Sequence, residues 1–540
     1  MRRRVVIDYS SQNWNDEAAF REFDAFFVAE HQSIREHIFH TSKSFSEKLN
    51  FGVSQNIIVS KLLFVISLSL WVKKFNGNQV CFVNVPRSLV PTLEANGFEV
   101  EGVLSDYWIR RLTDLKNITR CLLLICQIAL IKVLVKREIF DKTRIFIDRF
   151  ILSGNFESDR FYTGINEIAV DDPSIRFFLN IKIYSPRQLL TLINFKKRYF
   201  FVFKEKYVSL KTPIQSLISF YSKRYKNIDV DEDPFQCLCR YFIYHETLAH
   251  FYYESDLNDA LVAKIHLPES ANFFIWWEAQ LPSYQLVESL SRNHFKGSVN
   301  LYVGFFPRSR DFHLVPLGSH LKIQRVKPKL MVIGPSSERF FESFLQKDQI
   351  SRGPAFRFLN WLDPQVEKCD IKNIGGDLRV EGPKFLKVHF VSGVDKYETE
   401  HILKSLKDIG THCAGIQVTV ELHPALRLKN ELSTHFRKAI LTDLDKKVIV
   451  FCGGTSLATY YACTGYKVIN FTPTQGFGGS VIQGSLDSIE VVNKISIKYF
   501  YKLYAERSVG RRRRYSDCIS QHIFKNQREL VHKYFKLTQP

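Results

Sequence analysis

Short apolar runs alternate with helix-like stretches along most of the 540-residue chain. Residues 78–86 (NQVCFVNVP) and 144–152 (RIFIDRFIL) predict buried strands, whereas 186–198 (PRQLLTLINFKKR) has helical spacing. Residues 197–210 fit either a strand or a helix. Because parallel strands are joined through crossover helices, this alternation predicts an α/β layered fold with a mainly parallel sheet.

The same pattern restarts in the C-terminal half. The segment 329–345 (KLMVIGPSSERFFESFL) predicts a strand, a turn and a helix capped by Ser336 or Ser337. Further strands are predicted in 384–393 (KFLKVHFVSG), in 415–426 (GIQVTVELHPAL) and in 446–456 (KKVIVFCGGTS). These segments predict a second Rossmann-like unit.

A basic, proline-marked stretch at 307–328 separates the two halves and predicts an interdomain connection. We therefore expect two Rossmann-like domains facing a cleft, followed by a basic helical tail that packs back on the first domain. The predicted domains are residues 1–315, residues 316–480 and the tail 481–540.

Composition narrows the class of partner. The formal net charge of +20 favours anionic partners, and the cluster Arg511, Arg512, Arg513 and Arg514 predicts contact with an anionic membrane surface. Ten scattered cysteines indicate reduced thiols in a cytoplasmic protein, and no signal peptide is predicted. The apolar runs 57–72 and 121–135 are shorter than a membrane span, so buried helices are expected, with interfacial helices as the alternative.

The turn after the last of these strands carries candidate chemistry. Gly453 and Gly454 let backbone amides approach an anion, and Thr455 and Ser456 stand at the predicted helix start. This predicts a phosphate-binding turn, although a capped strand-to-helix turn without a ligand has the same sequence. There is no GK[ST] ending, so a P-loop is not predicted.

One βα unit earlier, His423 and Pro424 directly follow another predicted strand. Proline fixes the backbone there, and an imidazole can bind a phosphate or neutralise a leaving group. In open α/β sheets ligands bind beyond the carboxyl ends of the strands, so the two turns are expected at one sheet edge.

A strand ending in His-Pro, followed by a strand ending in Thr-Ser at a helix start, resembles the C-terminal domain of GT-B glycosyltransferases. The resemblance is to enzymes that use CMP-activated acidic sugars: bacterial sialyltransferases, polysialyltransferases and β-Kdo transferases of capsule synthesis. Residues 146–165 and 273–287 also resemble segments of surface-carbohydrate biosynthesis proteins. The resemblance to these transferases implies that His423, Thr455 and Ser456 hold the donor phosphate.

By the same resemblance, further residues border the nucleotide: Gly334, Ser336, Ser337, Ser392 and Gly393. The acidic motif that carries the general base in bacterial sialyltransferases has no clear copy here. Asp148 and Glu278 are the leading candidates for that base, ahead of Glu157 and Asp159.

Each candidate base has a competing interpretation. Asp148 would instead form an ion pair with Arg149 or Arg160. Glu278 follows Trp276 and Trp277, which would offer a sugar-stacking platform or pack into the core.

No metal or cofactor is predicted. The histidines of 245–250 (HETLAH) are five residues apart and would not share a metal on a helix, and 229–233 (DVDED) is expected to be a solvated loop. The predicted function is transfer of a sugar from a nucleotide-activated donor to a surface-polysaccharide or glycolipid acceptor, at the inner face of the cytoplasmic membrane. The alternatives are a sugar-nucleotide epimerase, a CDP-polyol phosphotransferase, or a basic nucleic-acid-binding protein; no nucleic acid partner is expected for the transferase.

Overall fold

We analysed the chain as a computed structural model. It describes residues 3–9, 14–41, 61–75, 78–105, 107–135, 143–151, 172, 174–181, 185–194, 201–224, 237–238, 241, 250–265, 267–278, 281–307, 314–316, 326–358, 386–393, 396–412, 416–422, 426, 437–438, 449–452, 455, 457–463, 466–471, 489–492, 523–524 and 527–535.

The N-terminal residues form a small parallel sheet in the order β1-β2-β3. Its core is aromatic, since Trp14, Phe23, Phe64 and Trp71 pack edge-on or stacked against one another. The elements are β1 (Arg3–Asp8), α1 (Glu17–Thr41), α2 (Lys61–Lys74), β2 (Asn78–Pro86), α3 (Val90–Ala95) and β3 (Glu99–Leu104).

A seven-stranded parallel sheet follows, in the order β10-β9-β8-β7-β4-β5-β6. Its strands read as continuous apolar runs because both faces are covered by hydrophobic clusters. The strands are β4 (Ile145–Ile151), β5 (Ile175–Ile181), β6 (Phe201–Phe203), β7 (Asn272–Trp276), β8 (Ser298–Val303), β9 (Lys329–Val332) and β10 (Ile350–Arg352). The helices are α4 (Tyr107–Leu134), α5 (Pro186–Ile193), α6 (Thr212–Arg224), α7 (His250–Lys264), α8 (Leu281–Arg292) and α9 (Pro335–Glu342).

The C-terminal unit is a six-stranded parallel sheet in the order β13-β12-β11-β14-β15-β16. One face packs on α10 and the other on α11, as expected for a doubly wound sheet. The elements are β11 (Leu386–Val391), α10 (Lys396–His412), β12 (Ile416–Glu421), β13 (Arg437–Lys438), β14 (Ile449–Cys452), α11 (Leu457–Cys463), β15 (Lys467–Phe471) and β16 (Ile489–Val492).

The last described helix, α12 (Gln527–Phe535), returns to the seven-stranded sheet. Ile523, Phe524 and Leu530 are buried in its two hydrophobic clusters. The Gln527 side chain accepts a hydrogen bond from the Ala355 amide at 2.6 Å. The chain therefore leaves the seven-stranded unit after residue 358, forms the six-stranded sheet, and then returns to the seven-stranded unit.

The α/β class with wholly parallel sheets is confirmed. Two details of the predicted organisation are wrong: β9 pairs with β8 rather than opening the C-terminal unit, and β16 lies in the C-terminal sheet although the tail was expected to begin at residue 481. The ambiguous stretch 197–210 contains β6 and then a 3-10 turn at Lys204–Tyr207. The facing of the two units across a cleft stays a prediction.

The two apolar runs are both helical. The described part of the first run, from residue 61, lies in α2, which is largely buried, and the second run lies in α4, which is buried along one face only. In the part of the chain that the structure describes, one helix is long and apolar enough to cross a membrane, Arg110–Leu134, and 33% of its most apolar window is buried.

Candidate functional site

The carboxyl edge of the six-stranded sheet brings the ends of three strands side by side. In the β-register Val391 at the end of β11 pairs with Glu421 on one side and with Cys452 on the other. The ends of β12 and β14 therefore flank the end of β11. Neighbouring strands are about 4.8 Å apart, so the ends of β12 and β14 are roughly 10 Å apart.

Two predicted site residues follow β11 directly. Ser392 is buried, and its amide donates to the Glu421 carbonyl at 3.0 Å, which fixes the first residue of the turn against β12. Gly393 is also buried. The turn leads into α10, whose first turn carries Glu398.

Thr455 occupies the turn after β14. Its hydroxyl accepts a hydrogen bond from the Leu457 amide at 3.3 Å, and its carbonyl accepts from Ala458 at 3.2 Å. The residue therefore caps the start of α11, as its sequence context predicted. His423, Pro424, Gly453, Gly454 and Ser456 lie outside the described residues, and their assignments stay predictions.

A cluster that the sequence did not indicate lies beneath this edge. The His389 Nδ1 is 2.9 Å from Thr419 Oγ1, and its Nε2 is 3.4 Å from the Glu421 carboxylate. The Tyr461 hydroxyl donates to the same carboxylate at 2.7 Å. This polar network joins strand β11, strand β12 and helix α11. Its carboxylate, Glu421, stands two residues before His423 in the sequence.

Hydrogen bonds from His389 hold the pKa of Glu421 below its usual range, with a further contribution from Tyr461, although partial burial opposes the shift. The carboxylate is therefore ionised at neutral pH. His389 is fully buried, whereas the Glu421 side chain keeps 25% of its exposure. A fixed negative charge at the rim can accept hydrogen bonds from hydroxyl or amine groups of a ligand.

The thiol of Cys452, at the end of β14, is unreactive. Cys452 is completely buried, and burial raises the pKa of its thiol, with the Glu398 charge adding to the effect. Its Sγ lies 3.6 Å from Asn470 Oδ1 on β15. A protonated thiol is a poor nucleophile, so Cys452 supports the strand end rather than reacting.

Gly334, Ser336 and Ser337 are not part of this edge. They follow β9, so they lie at the carboxyl edge of the seven-stranded sheet, and their contact with the nucleotide stays a prediction. The helix cap also differs from the prediction: Gly334 is the N-cap, because Pro335 is suited to the first helical position. Both serines are buried within the first turn of α9.

Asp148 forms a fully buried ion pair. Lys204 Nζ donates to Asp148 Oδ1 at 2.8 Å, to Asn180 Oδ1 at 2.7 Å and to Asn258 Oδ1 at 3.1 Å. Lys204 is an ion-pair partner that the sequence did not predict, and the predicted partner Arg160 lies outside the described residues. No side-chain atom of this carboxylate is solvent-exposed, so it is placed to hold β4, β5 and α7 together.

Glu278, the other leading candidate base, is partly exposed, whereas Glu157 and Asp159 lie outside the described residues. It stands two residues after β7, at the same sheet edge as Gly334, with β8 between the two strands. The neighbouring tryptophans are not a sugar platform. Trp276 and Trp277 are buried on opposite faces of the sheet, and Trp277 donates to the Leu314 carbonyl at 2.7 Å.

A third feature is a surface depression of about 490 Å³ at the carboxyl edge of the three-stranded sheet. Its lining includes Arg87, which follows β2, and Ser105, which follows β3. One cation and one hydroxyl on an otherwise apolar wall suit an anionic or hydroxylated ligand. Among the residues described, no group of three His, Cys, Asp or Glu side chains is placed to hold a metal ion.

Comparison with known proteins finds no matching family model and no matching curated protein. Solved structures give distant likenesses. A UDP-GlcNAc 2-epimerase from Neisseria meningitidis bound to UDP-GlcNAc is 10% identical, with 73% of this chain and 100% of that chain covered at a TM-score of 0.40. A putative UDP-N-acetylglucosamine 2-epimerase from Listeria monocytogenes is 8% identical, covering 74% and 98% at a TM-score of 0.40. An α,α-trehalose-phosphate synthase (UDP-forming) from Burkholderia vietnamiensis is 8% identical, covering 73% and 96% at a TM-score of 0.36.

Proposed function

We propose that the protein is a GT-B-type glycosyltransferase that binds a nucleotide sugar at the carboxyl edge of the six-stranded sheet. The observation that supports the proposal is the register: strands β12, β11 and β14, which precede His423, Ser392 and Thr455 in the sequence, are consecutive neighbours and end at one sheet edge. This is where an open α/β sheet binds a nucleotide.

The donor in this proposal is a CMP-linked acidic sugar, as the sequence resemblance implies. His423 contacts the donor phosphate, and Thr455 and Ser456 hold it from the following turn. Glu421 accepts hydrogen bonds from hydroxyl groups beside that phosphate. The acceptor is a surface polysaccharide or glycolipid that binds the N-terminal units, and Glu278 removes the proton from its attacking hydroxyl. The reaction takes place on the cytoplasmic side of the membrane.

A nucleotide screen tests the donor site. We expect CMP or another nucleoside phosphate, among CMP, CDP, UDP and GDP, to raise the melting temperature of the full-length protein, because ligand binding to the native state alone stabilises it. If none of the four raises the melting temperature, the proposed site is wrong.

A matched pair of variants locates the site. Removing the hydroxyl in Thr455→Val is expected to weaken nucleotide binding about tenfold, the cost of one hydrogen bond to a charged group. The control Thr191→Val removes a hydroxyl that bonds the Arg187 carbonyl on α5, remote from the edge, and leaves binding unchanged. Equal affinity in both variants would place the nucleotide elsewhere.

Product analysis then separates the reactions. Incubation with CMP-, CDP- and UDP-sugars, with and without a glycan acceptor, gives acceptor-dependent nucleotide release for a transferase. An epimerase instead converts the sugar nucleotide without an acceptor, and a polyol phosphotransferase releases CMP from a CDP donor.

A further inference from the structure

Exposed apolar side chains are concentrated on one part of the protein. Of the 16 large hydrophobic residues that are exposed in the described chain, 12 lie on α4, on α5, on α6 or in the turn before α6. They are Tyr107, Leu112, Leu115, Ile118, Leu122, Leu123, Val133, Leu134, Leu190, Leu210, Ile214 and Ile218. Scattered exposed leucines are ordinary, but a contiguous set of this size marks an interaction surface.

Helix α4 has two distinct apolar faces. Cys121, Leu124 and Ile128 point inward and are buried. On the opposite side Leu115, Ile118, Leu122 and Val133 follow one another at spacings of three, four and eleven residues, and their exposure reaches 82% at Val133. That spacing gives one continuous stripe along the helix.

Helix α6 widens the stripe into a patch. It packs beside α4, and the Tyr221 hydroxyl donates to Asp114 Oδ1 at 3.1 Å across the contact. Its own outward residues Ile214 and Ile218 are 45% and 62% exposed. We call the exposed apolar side chains of α4 and α6 the α4–α6 patch.

The charges on the two helices of the patch are predominantly positive. Helix α4 carries five basic residues, Arg110, Arg111, Lys116, Arg120 and Lys132, and one acidic residue, Asp114, which is bonded to Tyr221. Helix α6 contains no acidic residue. A second copy of this chain would bring like charges together, whereas anionic lipid headgroups complement them.

The contacts of α4 with the rest of the protein argue against a helix that crosses a bilayer. Its inward face is fixed to the protein, since Gln127 Nε2 donates to Glu205 Oε1 at 3.0 Å in a buried contact and Ile131 joins the core of the seven-stranded sheet. A spanning helix would have to give up these contacts. An outward apolar stripe flanked by Arg111, Lys116 and Lys132 is typical of an interfacial helix.

We propose that the α4–α6 patch docks the protein on an anionic membrane surface, with the leucine and isoleucine side chains entering the acyl boundary and the basic residues contacting the headgroups. This inference does not depend on the nucleotide-sugar function, because it rests on other helices and other residues. The proposal uses other residues than the arginine cluster at 511–514, which lies outside the described residues.

Vesicle co-sedimentation of the full-length protein tests the proposal. Wild type is expected to bind vesicles made of equal parts phosphatidylcholine and phosphatidylglycerol, and to bind pure phosphatidylcholine vesicles several-fold more weakly. The double variant Leu115→Gln/Leu122→Gln is expected to lose at least about tenfold in affinity, because two leucines no longer leave water. Both positions are exposed, and glutamine is a good helix former, so the fold is retained.

The matched control is Val28→Gln/Phe75→Gln, which changes two exposed apolar residues of the N-terminal unit. It is expected to bind as wild type does. A second test variant, Arg111→Gln/Lys116→Gln, is expected to weaken binding to the anionic vesicles several-fold and to leave binding to phosphatidylcholine unchanged.

Three outcomes would overturn the proposal. Wild type could fail to bind anionic vesicles. The Leu115→Gln/Leu122→Gln variant could bind as well as its control, which would point to the arginine cluster instead. Light scattering could show a wild-type dimer that the leucine variant converts to a monomer without changing vesicle binding, which would make a second copy the occupant.

Discussion

Glu421 belongs to a polar cluster whose members are far apart in the sequence. Its partners His389 and Tyr461 are distant along the chain, and the strand pairing alone brings them together. One signal was available: Thr419 and Glu421 alternate with apolar residues on β12, which places two polar groups on one face. His389, a histidine within the apolar run LKVHFV, was a second signal of the cluster.

The Glu421→Gln variant tests the role of this charge in stability. The folded-state pKa lies below the unfolded value near 4.5, so the carboxylate stabilises the fold above that value, and this contribution is lost as the pH falls through the lowered pKa. At pH 7 we expect the variant to lose about 1–2 kcal/mol, the worth of hydrogen bonds to a charged group.

Urea unfolding at neutral pH and at pH values below 4.5 measures this difference. The difference in the free energy of unfolding between wild type and Glu421→Gln should become smaller at acid pH. The control Glu269→Gln removes one charge of an exposed pair with Lys296. Its difference from wild type in the free energy of unfolding should not change with pH in this way. If the difference between wild type and Glu421→Gln stays constant with pH, the Glu421 charge contributes nothing to the free energy of unfolding.

At the scale of elements, the Lys204 ammonium links the 3-10 turn after β6 to β4, β5 and α7. Sequence reasoning selected Asp148 because a carboxylate interrupts an apolar strand, which is a sound signal of something unusual. It could not identify Lys204, since 197–210 fitted both a strand and a helix. The interruption proved to be a buried ion pair, and the general base is assigned to Glu278 only as a proposal.

Breaking this ion pair should be costly. Lys204→Met leaves the Asp148 carboxylate buried without its cation, and we expect a loss of about 3–5 kcal/mol in the free energy of unfolding. Lys204→Met combined with Asp148→Asn should recover part of the loss, because the orphaned charge is removed. Lys296→Met breaks an exposed pair and should cost less than about 1 kcal/mol. Similar losses in the two lysine variants would contradict a buried pair.

At the scale of the whole molecule, periodicity was enough to predict parallel α/β sheets, because apolar strands and amphipathic helices carry local signals. Sheet membership was not predictable in the same way. Strand β9 follows a basic, proline-containing stretch that is typical of a linker, yet it pairs with β8 through contacts that only the folded chain shows. The turns after β11, β12 and β14 were predictable as a group because the strands are parallel and successive.

Removing residues 523–540 tests the return of the chain to the first unit. The deletion uncovers the surface that Ile523, Phe524 and Leu530 occupy, each worth about 1.5–3 kcal/mol of burial. We expect the seven-stranded unit to unfold at a lower temperature while the six-stranded unit keeps its stability. Hydrogen exchange followed separately in β4 and β14 measures the two units. Unchanged protection in β4 would show that α12 contributes little.

The route of the chain also constrains its synthesis. During translation β4 to β10 leave the ribosome long before α12, so the parts of the two hydrophobic clusters that Ile523, Phe524 and Leu530 cover stay in contact with water while the six-stranded sheet is made. Segments of the seven-stranded unit precede and follow the six-stranded sheet in the sequence, so that sheet is an insertion within the seven-stranded unit. A nascent chain halted after β16 would therefore lack three buried apolar side chains of the seven-stranded unit and would expose the surface that they contact.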